Sequence, residues 1–174
     1  MNISLLEFPT EHDWDEVYRR CLLTVGKKPI KHPSDEWKRK ILFARHSPIR
    51  RLRFSFLLEG IPSYCSVHLC RHVHGQPYVK SQRNDRQKEY DRNKATQDSP
   101  VNMIWDLNGE SIQLVANKRL CNLADKTTRE IVEMMCNLVK QKCPEFEDVL
   151  VPMCEYQGGI CHEIFPCGKC EKNG

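Results

Sequence analysis

No stretch of this chain approaches the ~18 consecutive apolar residues that a membrane helix needs, so no membrane span is expected. The start, Met1 to Glu7, lacks a charged segment followed by an apolar run. A secretory signal is therefore not expected, and a reducing cytoplasm is the expected compartment. No internal repeat and no low-complexity tract occurs, which argues against a solenoid. Aromatic residues make up 8% of the chain, and the basic segments Arg45–Arg53 and Lys80–Lys94 contain only Tyr90 among them. A stacking platform for single-stranded nucleic acid is accordingly not expected. Excess charge is also scarce: the formal net charge of +4 permits an anionic ligand without demanding a polyanion.

What is present fits a soluble globular chain. At 174 residues, with 40% hydrophobic and 29% charged residues, one domain with a real core is expected. In a reducing compartment the ten cysteines read as thiols or metal ligands before disulfides. Helical spacing of apolar residues marks Asp13–Val25 and a helix from a Ser34 cap to about Ala44. Leu52–Glu59 reads as a strand and Ser63–His74 as a buried helix ending near Gly75. Asn84–Asp98 is polar and reads as a loop, and Val101–Leu107 as a second strand. Glu110–Arg119 and Lys126–Lys142 read as helices, the second with Ile131, Met134, Met135, Leu138 and Val139 on one face. The mixture predicts an α+β fold, helices packed on a small antiparallel sheet. The expected division is a main domain over 1–150 and a Cys-rich tail over 151–174.

The most informative segment is Arg71–Arg83. It gathers two arginines, two histidines, a lysine and a serine around the break at Gly75 and Pro77. Guanidinium forks match phosphate oxygens in pairs, and a serine with nearby backbone N–H groups completes an anion cradle. The plain alternative is a solvated basic loop.

Spacing and flanks carry a resemblance. Ser81 and Arg83 stand nine and eleven residues after His72. Upstream runs Arg45-His46-Ser47-Pro48-Ile49-Arg50, and downstream Asn108-Gly109-Glu110-Ser111-Ile112, with Arg119 eleven residues after Asn108. Thr128-Arg129-Glu130-Ile131 follows. These ordered blocks, over residues 35–146, resemble the flavin-dependent thymidylate synthases (the ThyX type). The resemblance implies a ThyX-like fold and methylation of dUMP to dTMP. FAD would be the cofactor, with NADPH and methylenetetrahydrofolate as co-substrates. It also implies a homotetramer with sites at subunit interfaces, in the cytoplasm of a bacterial or phage-infected cell. Arg71, His72 and Asn108 would contact the flavin. Ser81 and Arg83 would clamp the nucleotide phosphate. Arg119 would touch the pyrimidine and stabilise charge on its carbonyl as the catalytic group. Each has a plainer alternative: a helix terminus for Arg71 and His72, an N-cap for Asn108, a helix-surface arginine for Arg119.

Departures stand beside the matches. Val73 replaces the second arginine of the family's Arg-His-Arg triplet, and Val79 a common glutamate. His68 replaces a glutamine, Leu114 an asparagine, and His46 lies one place out of register. Arg50 stands where an acidic residue is common and Glu110 where an arginine is common, an exchange of charge roles. The chain also lacks the family's long helical insertion before Asn108. These changes motivate two alternatives: a divergent enzyme modifying another pyrimidine nucleotide, and a non-catalytic nucleotide- or nucleic-acid-binding protein of the same fold.

The tail is outside the resemblance. Cys154, Cys161, Cys167 and Cys170 fall within seventeen residues, with His162 among them. Cys167-Gly168-Lys169-Cys170 is a C-x-x-C knuckle, the spacing with which two thiolates grip one tetrahedral ion. The donor set suits zinc or an iron–sulfur cluster; the alternative is free thiols in a loose tail.

Overall fold

The computed structural model describes residues 1–83, 85 and 91–172. The chain opens with strand β1 (Asn2–Glu7), followed by helices α1 (Glu11–Leu23) and α2 (Asp35–Phe43). A 3₁₀ turn at Ser47–Arg51 leads into β2 (Arg53–Pro62), helix α3 (Ser63–Cys70) and strand β3 (Gln76–Val79). Strand β4 (Pro100–Asn108) feeds directly into α4 (Gly109–Arg119), and α5 (Lys126–Lys142) follows. The end carries α6 (Met153–Tyr156) and two short strands, β5 (Ile160–Cys161) and β6 (Glu171–Lys172).

The main sheet is antiparallel throughout, in the order β1-β2-β4-β3. Alternation decides which face the helices cover. Along β4, Val101, Met103, Trp105 and Leu107 are buried while Asn102 and Ile104 face outward. Along β2, Phe54, Phe56 and Leu58 match them on the same face. A sheet with one covered face is the expected economy of an antiparallel arrangement. The register slips between Leu58 and Ile61, where Gly60 adopts φ +63°. That bulge puts Ile61 back on the core side, at 0% exposure.

Local signals explain the helix starts. Thr10 and Asp13 form a reciprocal capping box at α1, and Ser34 accepts from the Trp37 N–H at α2. The first helix therefore begins two residues earlier than the apolar spacing alone indicates. In α5 the buried stripe is Ile131, Val132, Met135, Cys136 and Val139. Met134, expected on that stripe, lies exposed; the true face is rotated toward Val132 and Cys136.

Three features differ from the sequence expectation. The N-terminal segment pairs with β2 as an edge strand, Asn2 opposite Glu59. The helix expected over Ser63–His74 stops at Cys70. Turn bonds from His72 N–H to the Leu69 carbonyl and from Gly75 N–H to the His72 carbonyl (3.0 Å each) redirect the chain. Gln76–Val79 then satisfies the free edge of β4, and Pro77 is tolerated because β3 is itself an edge. Val101–Leu107 is the sheet's central hub, paired on both sides. The polar loop expected over Asn84–Asp98 lies partly outside the described residues (84 and 86–90, which include Tyr90); its remainder holds a 3₁₀ turn at Arg92–Lys94.

Candidate functional site

The end of α3 and the end of α4 meet. Arg119, in the last turn of α4, donates from Nε to His72 Nε2 at 2.9 Å and from Nη2 to the His68 carbonyl at 2.9 Å. Because Nε2 accepts, the proton of the neutral imidazole sits on Nδ1. Burial first, and the adjacent Arg119 charge second, hold His72 down to about 4, so it is neutral near pH 7. The His72 ring lies 6.2 Å from the buried Trp105 ring, which anchors the turn to the sheet.

Gly75 completes that turn for a steric reason. A Cβ there would stand 2.4 Å from Trp105 Nε1 and 2.7 Å from Leu107 Cδ2. No side chain fits unless the turn lifts off β4. His68 is held from the other side: Nδ1 lies 3.1 Å from Thr128 Oγ1, and Thr128 is fully buried. The Thr128 hydroxyl also donates to Asp125 Oδ1 at 2.9 Å, the N-cap of α5.

Charge makes this corner unusual. Arg119 is half-buried, and burial followed by the Arg71 charge holds its guanidinium below the ordinary value. Arg71 caps the C-terminus of α3 and is exposed. Among the described residues, neither Arg71 nor Arg119 forms an ion pair with a carboxylate. Two neighbouring guanidiniums without a countercharge disfavour each other, and an anion between them removes that penalty. A hollow of about 240 Å³ opens beside Arg119, walled by His72, Lys118, Arg119, Cys121 and Glu163. Lys118 Nζ reaches Glu163 at 3.3 Å across its rim.

The other sequence-derived residues lie elsewhere. Ser81 and Arg83 follow β3, where Lys80 N–H still bonds the Asn102 carbonyl at 2.8 Å. Gln82 Nε2 lies 3.4 Å from Ser63 Oγ at the first residue of α3. An eight-residue helix, about 12 Å long, therefore separates this loop from Arg71 at the opposite end. Arg83 is exposed and pairs with Asp85, Nε to Oδ1 at 2.9 Å.

Asn108 ends β4 and caps α4. Its Oδ1 accepts from the Glu110 and Ser111 N–H groups at 3.0 and 2.9 Å, and Ser111 Oγ accepts from Asn108 N–H at 2.7 Å. The cap reading of Asn108 is thus fulfilled, and its Nδ2 remains directed by that geometry. Eleven residues of α4, about 16 Å, separate it from Arg119. Nearby, Arg50 and Glu110 form a two-point ion pair, with Nη2 to Oε1 at 3.2 Å. The exchanged charges noted in the sequence thus face each other as an ion pair.

Sequence reasoning missed the direct Arg119–His72 contact, the Thr128 hydroxyl behind His68 and the cationic rim at Lys118. Only Gly75 among the supporting residues had a visible signal, the break it marks. Val73 and Val79 are 82% and 39% exposed, so neither valine has been absorbed into the core.

The fold built from this four-stranded antiparallel sheet and its helices is that of the flavin-dependent thymidylate synthases. A structure of thymidylate synthase X from Helicobacter pylori with FAD and dUMP superposes with a TM-score of 0.69, at 15% identity, over 86% of this chain and 99% of that one. A second structure of the Helicobacter pylori flavin-dependent enzyme, complexed with FAD and dUMP, gives 0.67 at 16% identity over 86% and 99%. A UMP/dUMP methylase, PolB, from Streptomyces cacaoi, bound with 5-Br dUMP, gives 0.66 at 13% identity over 86% and 96%. No protein-family model matches the chain, and no curated protein sequence matches it.

Proposed function

We propose that this chain is a flavin-dependent enzyme that methylates a pyrimidine deoxynucleotide, dUMP to dTMP. Methylenetetrahydrofolate would supply the carbon and NADPH the reducing equivalents. The observation that carries the reading is the uncompensated pair Arg71 and Arg119 beside neutral His72, on a fold whose solved examples include complexes with FAD and dUMP.

The donor set fits the phosphates of a flavin dinucleotide. Arg71 supplies an exposed fork, and Nδ1–H of His72 a neutral donor. Asn108 offers Nδ2, since its Oδ1 is committed to the cap. The hollow of about 240 Å³ is smaller than the ~300–1,000 Å³ usual for a ligand pocket, so one chain encloses only part of such a group. When bound, the flavin supplies the electron chemistry, and the protein supplies orientation and charge.

Ser81 and Arg83 would hold the nucleotide phosphate, and Arg119 the pyrimidine carbonyl on which charge develops. These groups lie at opposite ends of α3 within one chain. A homotetramer, in which the loop of one copy faces the Arg119 corner of another, would assemble them. That arrangement also supports a second reading. Exposed Val73 and Val79 remove a cation and an anion that the resemblance places near the ligands, which favours a different pyrimidine nucleotide as substrate. A non-catalytic binding protein is the remaining reading. No helix of the described residues is long and apolar enough to cross a membrane, and a nucleic-acid partner is not proposed. The cytoplasm remains the proposed compartment.

Release of tritium from [5-³H]dUMP, with methylenetetrahydrofolate, FAD and NADPH present, tests the reaction. Release from dUMP supports the first reading. Release only from another 5-³H pyrimidine nucleotide supports the second, and no release from any contradicts both.

A further inference from the structure

A cavity of about 270 Å³ lies between the end of α4 and the tail, and five of the ten cysteines line it: Cys121, Cys154, Cys161, Cys167 and Cys170, with His162 beside them. The thiols of Cys154 and Cys170 interact with each other, although fifteen residues separate them in the chain. Glycines shape the path between them. Gly158 and Gly159 take φ +75° and +92° after α6, and Gly159 N–H bonds the Cys154 carbonyl at 2.8 Å. Gly168, at φ +81°, turns the C-x-x-C knuckle back toward the cavity.

Apolar burial does little to hold the same segment. From residue 157 to residue 170 only Cys161 is buried, and Ile164 and Phe165 are 81% and 82% exposed. Its regular structure is one two-residue parallel pairing, β5 with β6. So small a stretch cannot offset the conformational entropy of ordering it, about 1–2 kcal/mol per residue, by apolar burial. A cross-link at the thiols supplies what burial does not.

We propose that the tail closes around a single thiophilic divalent ion of the zinc class, held by Cys154, Cys161, Cys167 and Cys170. Among the described residues no three His, Cys, Asp or Glu side chains already surround one point, so binding requires side-chain rotation into the cavity they share. A tetrahedral ion with sulfur at about 2.3 Å tolerates the irregular spacing of six, five and two intervening residues, because glycine turns connect Cys154 on α6 to the other three cysteines. Four thiols each lose a proton as the ion binds, leaving a net charge of −2 on the complex. Lys169, paired with Glu155 and beside Cys154 and Cys170, and Lys118 on the cavity wall place positive charge next to it. A disulfide between Cys154 and Cys170 would use only two of the five thiols on the wall. The cavity shares Lys118, Cys121 and Glu163 with the hollow beside Arg119, so the ion would also fix one rim of that hollow. The inference does not depend on the flavin reading, since metal content is measurable on the colourless chain as well.

The full chain, purified under reducing conditions without chelator, is assayed for zinc, iron and free thiols, then titrated with Cd²⁺ while thiolate-to-metal absorption is followed. About one equivalent of zinc, or a Cd²⁺ endpoint near one per chain, is expected, with four thiols protected from modification until chelator is added. Cys154→Ser and Cys170→Ser should each lower metal affinity at least tenfold, while Cys21→Ser, on α1, should not. Less than about a tenth of an equivalent of metal together with no Cd²⁺ endpoint overturns the proposal. So does a Cys154–Cys170 disulfide that persists in its place, or stoichiometric iron with sulfide.

Discussion

The two ends of α3 show what one chain prepares and what it leaves open. At the C-terminal end, His72 is buried to neutrality and Arg119 is fixed by two hydrogen bonds, with Gly75, Trp105 and Thr128 packed behind them. At the N-terminal end, Arg83 is exposed and engaged with Asp85 two residues away in its own loop. The first arrangement is rigid before any ligand arrives, so little ordering remains to oppose binding. The second trades one partner for another: on the proposed reading, a phosphate would have to displace Asp85. On that reading, pyrimidine orientation should depend on the fold, and phosphate capture on an exposed arginine that exchanges its partner.

The sharpest way to break this contrast is at Arg119. Arg119→Ala should reduce turnover about 100-fold or more, as loss of a preorganised donor does, and destabilise the chain by about 1–3 kcal/mol because the His68 carbonyl loses its charged partner. Steady-state kinetics and urea unfolding read the two effects. A variant as stable as the parent would mean that the corner is not preorganised. Next comes Gly75→Ala. The added Cβ, 2.4 Å from Trp105 Nε1, should cost about 1–3 kcal/mol in thermal or urea unfolding. An unchanged midpoint would show that the turn does not rest on β4.

Arg83→Ala reverses the pattern. Stability should change by less than about 0.5 kcal/mol, since Arg83 is exposed, while nucleotide affinity falls about tenfold and flavin affinity stays constant. Equal loss of both ligands in equilibrium titrations would contradict the division of labour. A further test concerns pH. His72 in the fold titrates at about 4, below its ordinary 6.5. Between those values the unfolded chain binds the additional proton. Stability from this group is thus complete above pH 6.5 and falls as the pH drops toward 4. Following the imidazole by NMR, Arg119→Met should raise its midpoint yet leave it below 6.5, because burial is the larger cause.

Much of this architecture was legible from local physics. Capping residues Ser34 and Asn108 and the amphipathic run of α5 announce their helices, and partial alternation announces β2. What escaped depends on partners distant in sequence. Nothing within Asn2–Glu7 distinguishes it as a strand until β2 offers an edge. Gln76–Val79 contains a proline, and only the open side of β4 makes it a strand. In the site, Arg71, His72 and Arg119 stand out as residue types. Their convergence spans 47 positions between His72 and Arg119 and needs both helix ends to be in place. The Arg50–Glu110 pair, by contrast, was visible as two simultaneous charge reversals, which a single ion pair explains.

The central claim is that an anionic flavin dinucleotide completes the Arg71–His72–Arg119 corner. It is tested most directly by the absorption spectrum of the purified chain after incubation with FAD at micromolar concentration and removal of free ligand. The account predicts a retained flavin spectrum that is lost when Arg71 and His72 are replaced together by alanine. A wild-type chain that stays colourless would contradict it.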